Sequence, residues 1–297
     1  MSTQSQQSQK PRIALFGLGL MGAGMAGRLL DAGFPLFIYN RSADKAAPFV
    51  AAGARLAGSP REAATDADVV ISMVSDDNAS RSLWLGDQGA LGAMRAGTVV
   101  VESSTVTREW IAELAKAASA KGIDVLDAPV TGSRTQAASG ELTFLVGGSA
   151  SALERVRPVL AAMSRAVIHV GPTGSGALLK LVNNFLCGVQ AAALGEAISL
   201  IERGGLDRDT ATQLLANGAP GSPLVKGLLP RMTERNYAPH FHLSLICKDL
   251  EYSLKEAQSL GVDLPAARTA LEAFRRAEAS GHGLDDFSSV VEPMRQA

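Results

Sequence analysis

The stretch "IALFGLGLMGAGMAGRLLDAG" (residues 13–33) restricts the possible fold of this chain more than any other segment. It opens as a short apolar run suited to a strand and continues into residues suited to a helix. Between the two stands Gly17, Leu18, Gly19, Leu20, Met21 and Gly22, a G-x-G-x-x-G turn. The first glycine permits a tight turn, the second lets backbone approach a pyrophosphate, and the third allows close strand–helix packing. The free N–H groups opening the helix would then face the phosphates. The chain holds 30 glycines, so the spacing alone is weak; its place between a strand and a helix makes it a dinucleotide-binding signal.

The same alternation continues to about residue 170. Candidate strands are 13–16, 36–39, 69–74, 98–101, 123–127, 142–146 and 166–170. Amphipathic segments lie between many of them, such as 108–122, where Ile111, Leu114, Ala115 and Ala118 share a face. This order predicts a parallel, doubly wound sheet covered by helices. After "GPTGSG" (171–176) the pattern becomes helical throughout, with Asp207 and Ser222 as N-caps. A helix over about 177–203 would run roughly 40 Å at 1.5 Å per residue. The expected architecture is an α/β Rossmann-type N-terminal domain (11–172) and an all-α C-terminal domain (174–295), joined by a long interdomain helix. Residues 1–10 are expected to form a disordered tail.

Charge and composition exclude several classes. With 28 basic and 29 acidic residues the net charge is −1, so no global field draws nucleic acid or an anionic membrane. The apolar stretch after residue 176 is interrupted by Lys180, Asn183, Asn184, Gln190 and Glu196, which argues for a soluble protein. Cys187 and Cys247 lie far apart in apolar segments, and free thiols fit a reducing cytoplasm. His240 and His242 alternate with no cysteine or acidic cluster beside them, so no metal site is expected.

Two features bear on chemistry. The second strand ends in Asn40 and Arg41, where an NAD-selective site usually carries an acidic residue. Asn40 can bond a ribose hydroxyl, and Arg41 can neutralise a 2′-phosphate, so NADP is preferred with NAD possible. The "MVSDD" loop (73–77) ends the third strand, where Val74 and Ser75 would border the adenosine. Further on, "GALLKLVNNF" (176–185) sets Lys180 and Asn184 one turn apart on one helix face. Either the helix turns the amine to water, with its stem on the core, or the protein uses it. Partial burial would lower its pKa and make it an acid and base near neutrality.

Four ordered segments decide between those readings. "GLGLMGAGMAGRLLDAG", "DAPVTGS", "GALLKLVNNF" and "KDLEYSLKEAQSLGVDLP" together resemble the β-hydroxyacid dehydrogenases, over nearly the whole chain after residue 11. The resemblance implies that Lys180 is the catalytic acid/base and Asn184 its companion. It implies that Thr105 touches the nicotinamide side, and that Thr131, Gly132 and Ser133 hold a small substrate's carboxylate. Lys248 would lie near both cofactor and substrate, although Lys248 and Asp249 also read as an ordinary surface pair. A homodimer or homotetramer is implied too, because relatives use the helical domain to complete a partner's site. The ending "YNRS" is like that of the NADPH-using glyoxylate and succinic semialdehyde reductase branch. Ser133 stands where glycine is common, and Arg134 beside it leaves room for a second anionic group. Two alternatives share the architecture, imine reduction and a non-catalytic cofactor-binding module; retention of Lys180 argues against both.

Overall fold

The computed structural model describes residues 10–296, so the expected tail lies almost wholly outside them. By contacts the chain divides into two compact units meeting at Ala177 and Leu178.

The first unit is built on a nine-stranded sheet. Its strands are β1 (Ile13–Phe16), β2 (Leu36–Tyr39), β3 (Arg55–Leu56), β4 (Val69–Ser72), β5 (Val99–Glu102), β6 (Asp124–Asp127), β7 (Val130–Thr131), β8 (Leu142–Gly147) and β9 (Ser164–Gly171). The order runs β3-β2-β1-β4-β5-β6-β8-β7, with β9 also on β8. From β3 to β6 every pairing is parallel, while β8 is antiparallel to β6 and β7 and parallel to β9. The chain moves outward from β1 to β2 and β3, then returns to β4 on the other side of β1. That reversal opens the crevice above β1 and β4 in which such sheets bind ligands. Central strands are apolar on both faces: Ile13, Leu15, Ile71 and Val101 join one core layer, and Ala14, Phe16, Val70 and Val100 the other. Two strands escaped the sequence reading. Both β3 and β7 have two residues, too few for a period, and those of β3 are exposed at the sheet's edge.

Helices cover the sheet: α1 (Leu20–Asp31), α2 (Ala47–Ala51), α3 (Pro60–Ala64), α4 (Asp77–Leu85), α5 (Arg108–Ser119), α6 (Arg134–Ser139) and α7 (Ala150–Ala161). On α5 the buried residues are Trp110, Ile111, Leu114 and Ala118, and Ala115 lies at the margin. Then comes α8 (Ser175–Arg203), 29 residues long, beginning two residues earlier than expected.

The second unit holds the rest of α8 with α9 (Arg208–Asn217), α10 (Pro223–Thr233), α11 (Leu243–Ser259), α12 (Pro265–Ala277) and the short α13 (Glu292–Gln296). By length and composition α8 is apolar enough to cross a membrane. In this unit it supplies core: Ala191, Leu194, Ile198 and Ile201 pack with Leu228, Ile246, Leu250, Leu271 and Phe274. Gly188 lets α11 come close, since a Cβ there would sit 3.1 Å from the Leu250 side chain.

Asp207 and Ser222 cap α9 and α10, accepting from the N–H groups of Thr210 and Val225. Ser222 also donates to Gln190 Oε1 at 3.0 Å, tying α10 to α8. Ser222→Ala should cost about 1 kcal/mol. Thermal unfolding should register this as a Tm lower by roughly 2–4 °C.

Candidate functional site

The glycine turn is shaped as the motif requires. Gly17 has φ +92°, and a Cβ there would come 2.2 Å from Met73 O. A Cβ on Gly22 would come 2.0 Å from Gly17 O, so the turn closes only on glycine. Gly19 differs: nothing lies within 4 Å of where its Cβ would be. It is also the N-cap of α1 and offers no side-chain acceptor to the helix's first N–H groups. Open space, uncapped donors and the positive helix end together fit a pyrophosphate.

Around this turn the expected cofactor residues have different tasks. Asn40 accepts the Leu18 N–H on Oδ1 at 2.8 Å and donates from Nδ2 to Ser42 O at 2.8 Å. Its amide thus laces the end of β2 to the glycine turn, a role the sequence did not reveal. Arg41 beside it is exposed and makes no hydrogen bond or ion pair among the described residues. The Val74 N–H donates to Ser104 Oγ at 2.9 Å, and Ser75 donates to Asp76 Oδ2 at 2.6 Å. Thr105 is half-buried in the turn that follows β5.

The loop expected to bind an anion begins on β7. Thr131 pairs with Thr143 of β8, and Gly132 has φ +120°. The Ser133 N–H and hydroxyl both donate to Gln136 Oε1, at 2.9 and 2.5 Å. Those donors are therefore already engaged one turn into α6. Arg134 is exposed and has no hydrogen bond or ion pair among the described residues. Asp127, the first residue of "DAPVTGS", ends β6. Its carboxylate accepts the N–H groups of Gly174 and Ala177, both at 2.8 Å, and so caps the start of α8. Burial raises the pKa of this carboxyl, and the backbone bonds oppose that rise.

Within the second unit α8 and α11 assemble a polar cluster. Asn184 is buried; it accepts from Asn183 Nδ2 at 2.9 Å and donates from its own Nδ2 to Asp249 Oδ2 at 2.5 Å. The other oxygen, Asp249 Oδ1, lies 2.9 Å from Lys248 Nζ. Asp249 is 1% exposed, and the Lys248 ammonium also rests 4.8 Å from the centre of the Tyr252 ring. This is not a solvated surface pair. Ser253 fixes the two helices together by donating to Leu181 O at 3.1 Å.

Lys180 stands one turn before Asn184, half-buried, with no hydrogen bond or ion pair among the described residues. Burial pushes its ammonium below the ordinary lysine range, while the Asp249 charge holds it up. Cys187, two turns further on, has its thiol pushed up by burial. Asn184 and Lys248 thus meet at Asp249, and Lys180, one turn before Asn184, lies within reach of the same charge. Asp249 occupies the centre because one carboxylate serves an amide and an ammonium at once.

Comparisons with known proteins bear on the family of the chain. Residues 12–171 match the NAD-binding domain of 6-phosphogluconate dehydrogenase, and residues 174–294 match the NAD-binding model of NADP-dependent 3-hydroxyisobutyrate dehydrogenase. The NAD-dependent L-serine dehydrogenase of Pseudomonas aeruginosa is 36% identical over 94% of this chain and 96% of its own. The 3-hydroxyisobutyrate dehydrogenase of the same organism is 35% identical over the same shares. Among solved structures, 3-hydroxyisobutyrate dehydrogenase from Salmonella typhimurium superposes with a TM-score of 0.88 at 31% identity, covering 96% of this chain and all of that one. With both units matched and sequence kinship along nearly the whole length, the chain belongs to the β-hydroxyacid dehydrogenase family of NAD(P)-dependent oxidoreductases.

Proposed function

We propose that the protein moves hydride between NADP(H) and a small β-hydroxyacid or the corresponding semialdehyde or oxo acid, with Lys180 as general acid and base. The observation that carries this reading is the half-buried Lys180 amine, which has no hydrogen bond or ion pair among the described residues and lies one turn before the buried Asn184–Asp249 pair, whose charge it feels. The nicotinamide, when bound, supplies or accepts the hydride. The chain's own residues do the rest. The turn at Gly17, Gly19 and Gly22 and the N–H groups opening α1 hold the pyrophosphate. Lys180 gives its proton to the carbonyl oxygen during reduction and takes it from the hydroxyl during oxidation. Asn184, fixed by Asp249, keeps one amide edge toward that oxygen. Thr131 and Gly132 remain for the substrate carboxylate, with Ser133 available only if Gln136 yields. A free ε-amine favours carbonyl chemistry over imine reduction and over a module that binds cofactor without turnover.

Arg41 supports NADP as the preferred cofactor, because an exposed guanidinium with no hydrogen bond or ion pair among the described residues suits a 2′-phosphate. The P. aeruginosa serine dehydrogenase is by name NAD-dependent, so cofactor choice needs its own experiment. Arg41→Asp should weaken NADPH by roughly ten- to a hundred-fold, the worth of a charge-assisted contact. NADH affinity should change far less. Equal losses for both, measured by titration, would refute the assignment.

A second copy of the chain completes the reading. On α8, Leu179, Val182 and Leu186 are 40, 42 and 49% exposed and follow i, i+3, i+7 spacing, an apolar stripe suited to a homodimer or homotetramer. Both cysteines are free, which supports a reducing, cytoplasmic setting. Turnover of short C2–C6 hydroxy and oxo acids with each cofactor tests the whole proposal, and L-serine belongs in that panel. Tight NADPH binding without turnover of any member would overturn the enzyme reading.

A further inference from the structure

Glu102 ends β5 with no exposed surface, in a layer otherwise filled by Phe16, Val70 and Val100. An apolar residue would suffice for packing there, and an acidic one is costly unless its oxygens are satisfied. Both are. Oε1 accepts the Ser104 N–H at 2.9 Å, and Oε2 accepts the Trp84 indole N–H at 2.8 Å together with the Ser80 hydroxyl. Ser80 in turn accepts the Trp110 indole N–H at 2.8 Å. The bonds therefore tie α4 and α5 to the strand end.

The arrangement continues toward the nucleotide turn. Ser104, whose backbone Glu102 holds, accepts the Val74 N–H on its hydroxyl. Met73 O and the Val74 side chain are the groups that a Cβ on Gly17 would strike, at 2.2 and 3.1 Å. The 73–74 backbone is thus the wall against which the first glycine of the turn rests. Only one hydrogen bond separates that wall from the segment Glu102 anchors. Thr105, on the same turn as Ser104, follows directly.

We propose that Glu102 is a positioning residue for the cofactor: through Ser104 and Val74 it sets the wall behind the Gly17 turn and the placement of the 103–105 turn. It touches no reacting atom. This inference rests on the nucleotide-binding reading of the Gly17 turn.

Glu102→Gln keeps the shape but leaves one acceptor oxygen, so either Ser104 or the Ser80 and Trp84 pair loses its acceptor. The dissociation constant for NADPH, from calorimetric titration of the full chain, should rise on the order of ten-fold. A variant that is merely less stable would give fewer competent molecules and the same constant. Ser104→Ala, which removes only the acceptor of the Val74 N–H, should act in the same direction. The double variant should lose less than the product of the two, because both act along one route.

A folded Glu102→Gln protein binding NADPH within two-fold of wild type overturns the proposal. So does a silent Ser104→Ala, or strictly multiplicative effects. Should Glu102→Gln fail to fold, the Ser104→Ala constant decides alone, raised in support or unchanged in refutation. Wild type that binds neither NADPH nor NADH would instead defeat the nucleotide reading, so the two failures are distinct.

Discussion

Lys180→Ala is expected to lower kcat by roughly a hundred- to ten-thousand-fold, the usual worth of a positioned proton donor. NADPH affinity should hold, because the glycine turn and Arg41 are untouched. Single-turnover kinetics on the NADPH-loaded variant would check it, and unchanged turnover would remove Lys180 from the mechanism. The wild-type pH profile carries a second signature. Burial places the folded pKa of Lys180 below the ordinary lysine value. Reduction needs the ammonium, so its rate should hold at low pH and fall as pH rises through that lowered pKa. Oxidation needs the free amine and should rise through the same point. Profiles that move together in both directions would assign the titration to another group.

Asp249 should have the next largest effect, and on two observables. Asp249→Ala removes the carboxylate that pairs with Lys248 and accepts from Asn184, at positions with little access to water. Breaking a buried pair from one side costs about 3–5 kcal/mol, which denaturant unfolding would report. Asp249→Asn keeps an acceptor for the amide and removes only the charge. That charge raises the Lys180 pKa, whereas Lys248 lowers it. With Asp249 neutral the Lys180 pKa must fall further, so the loss of reduction should begin at lower pH than in wild type. A profile shifted to higher pH, or not shifted, would mean that Asp249 does not act on Lys180.

The two variants also separate position from charge. Lost stability in the alanine variant with a normal profile in the asparagine variant would make Asp249 a packing residue only. A displaced profile in a stable Asp249→Asn protein would tie the carboxylate to the proton transfer itself.

The parts of this molecule legible in the sequence are those governed by neighbours along the chain. The Gly17 turn obeys local sterics. The strands around β1, β4, β5 and β8 are runs of β-branched and apolar residues, and the caps at Asp207 and Ser222 reach only three residues ahead. Lys180 and Asn184 share a face because a helix brings residues four apart together.

What the tertiary structure alone decided is which partner each polar group takes. Asn184 meets Asp249 across 65 residues, Leu18 meets Asn40 across 22, and Val74 meets Ser104 across 30. The sequence offers many acceptors at such separations, and hydrophobic periodicity says nothing of which one arrives. Burial settles it, because a polar group withdrawn from water must be paired within reach, and only the packed sheet and helices set that reach. Hence Asn40 laces the glycine turn to the end of β2, and Asp249, which reads equally well as a surface charge, stands between Asn184 and Lys248.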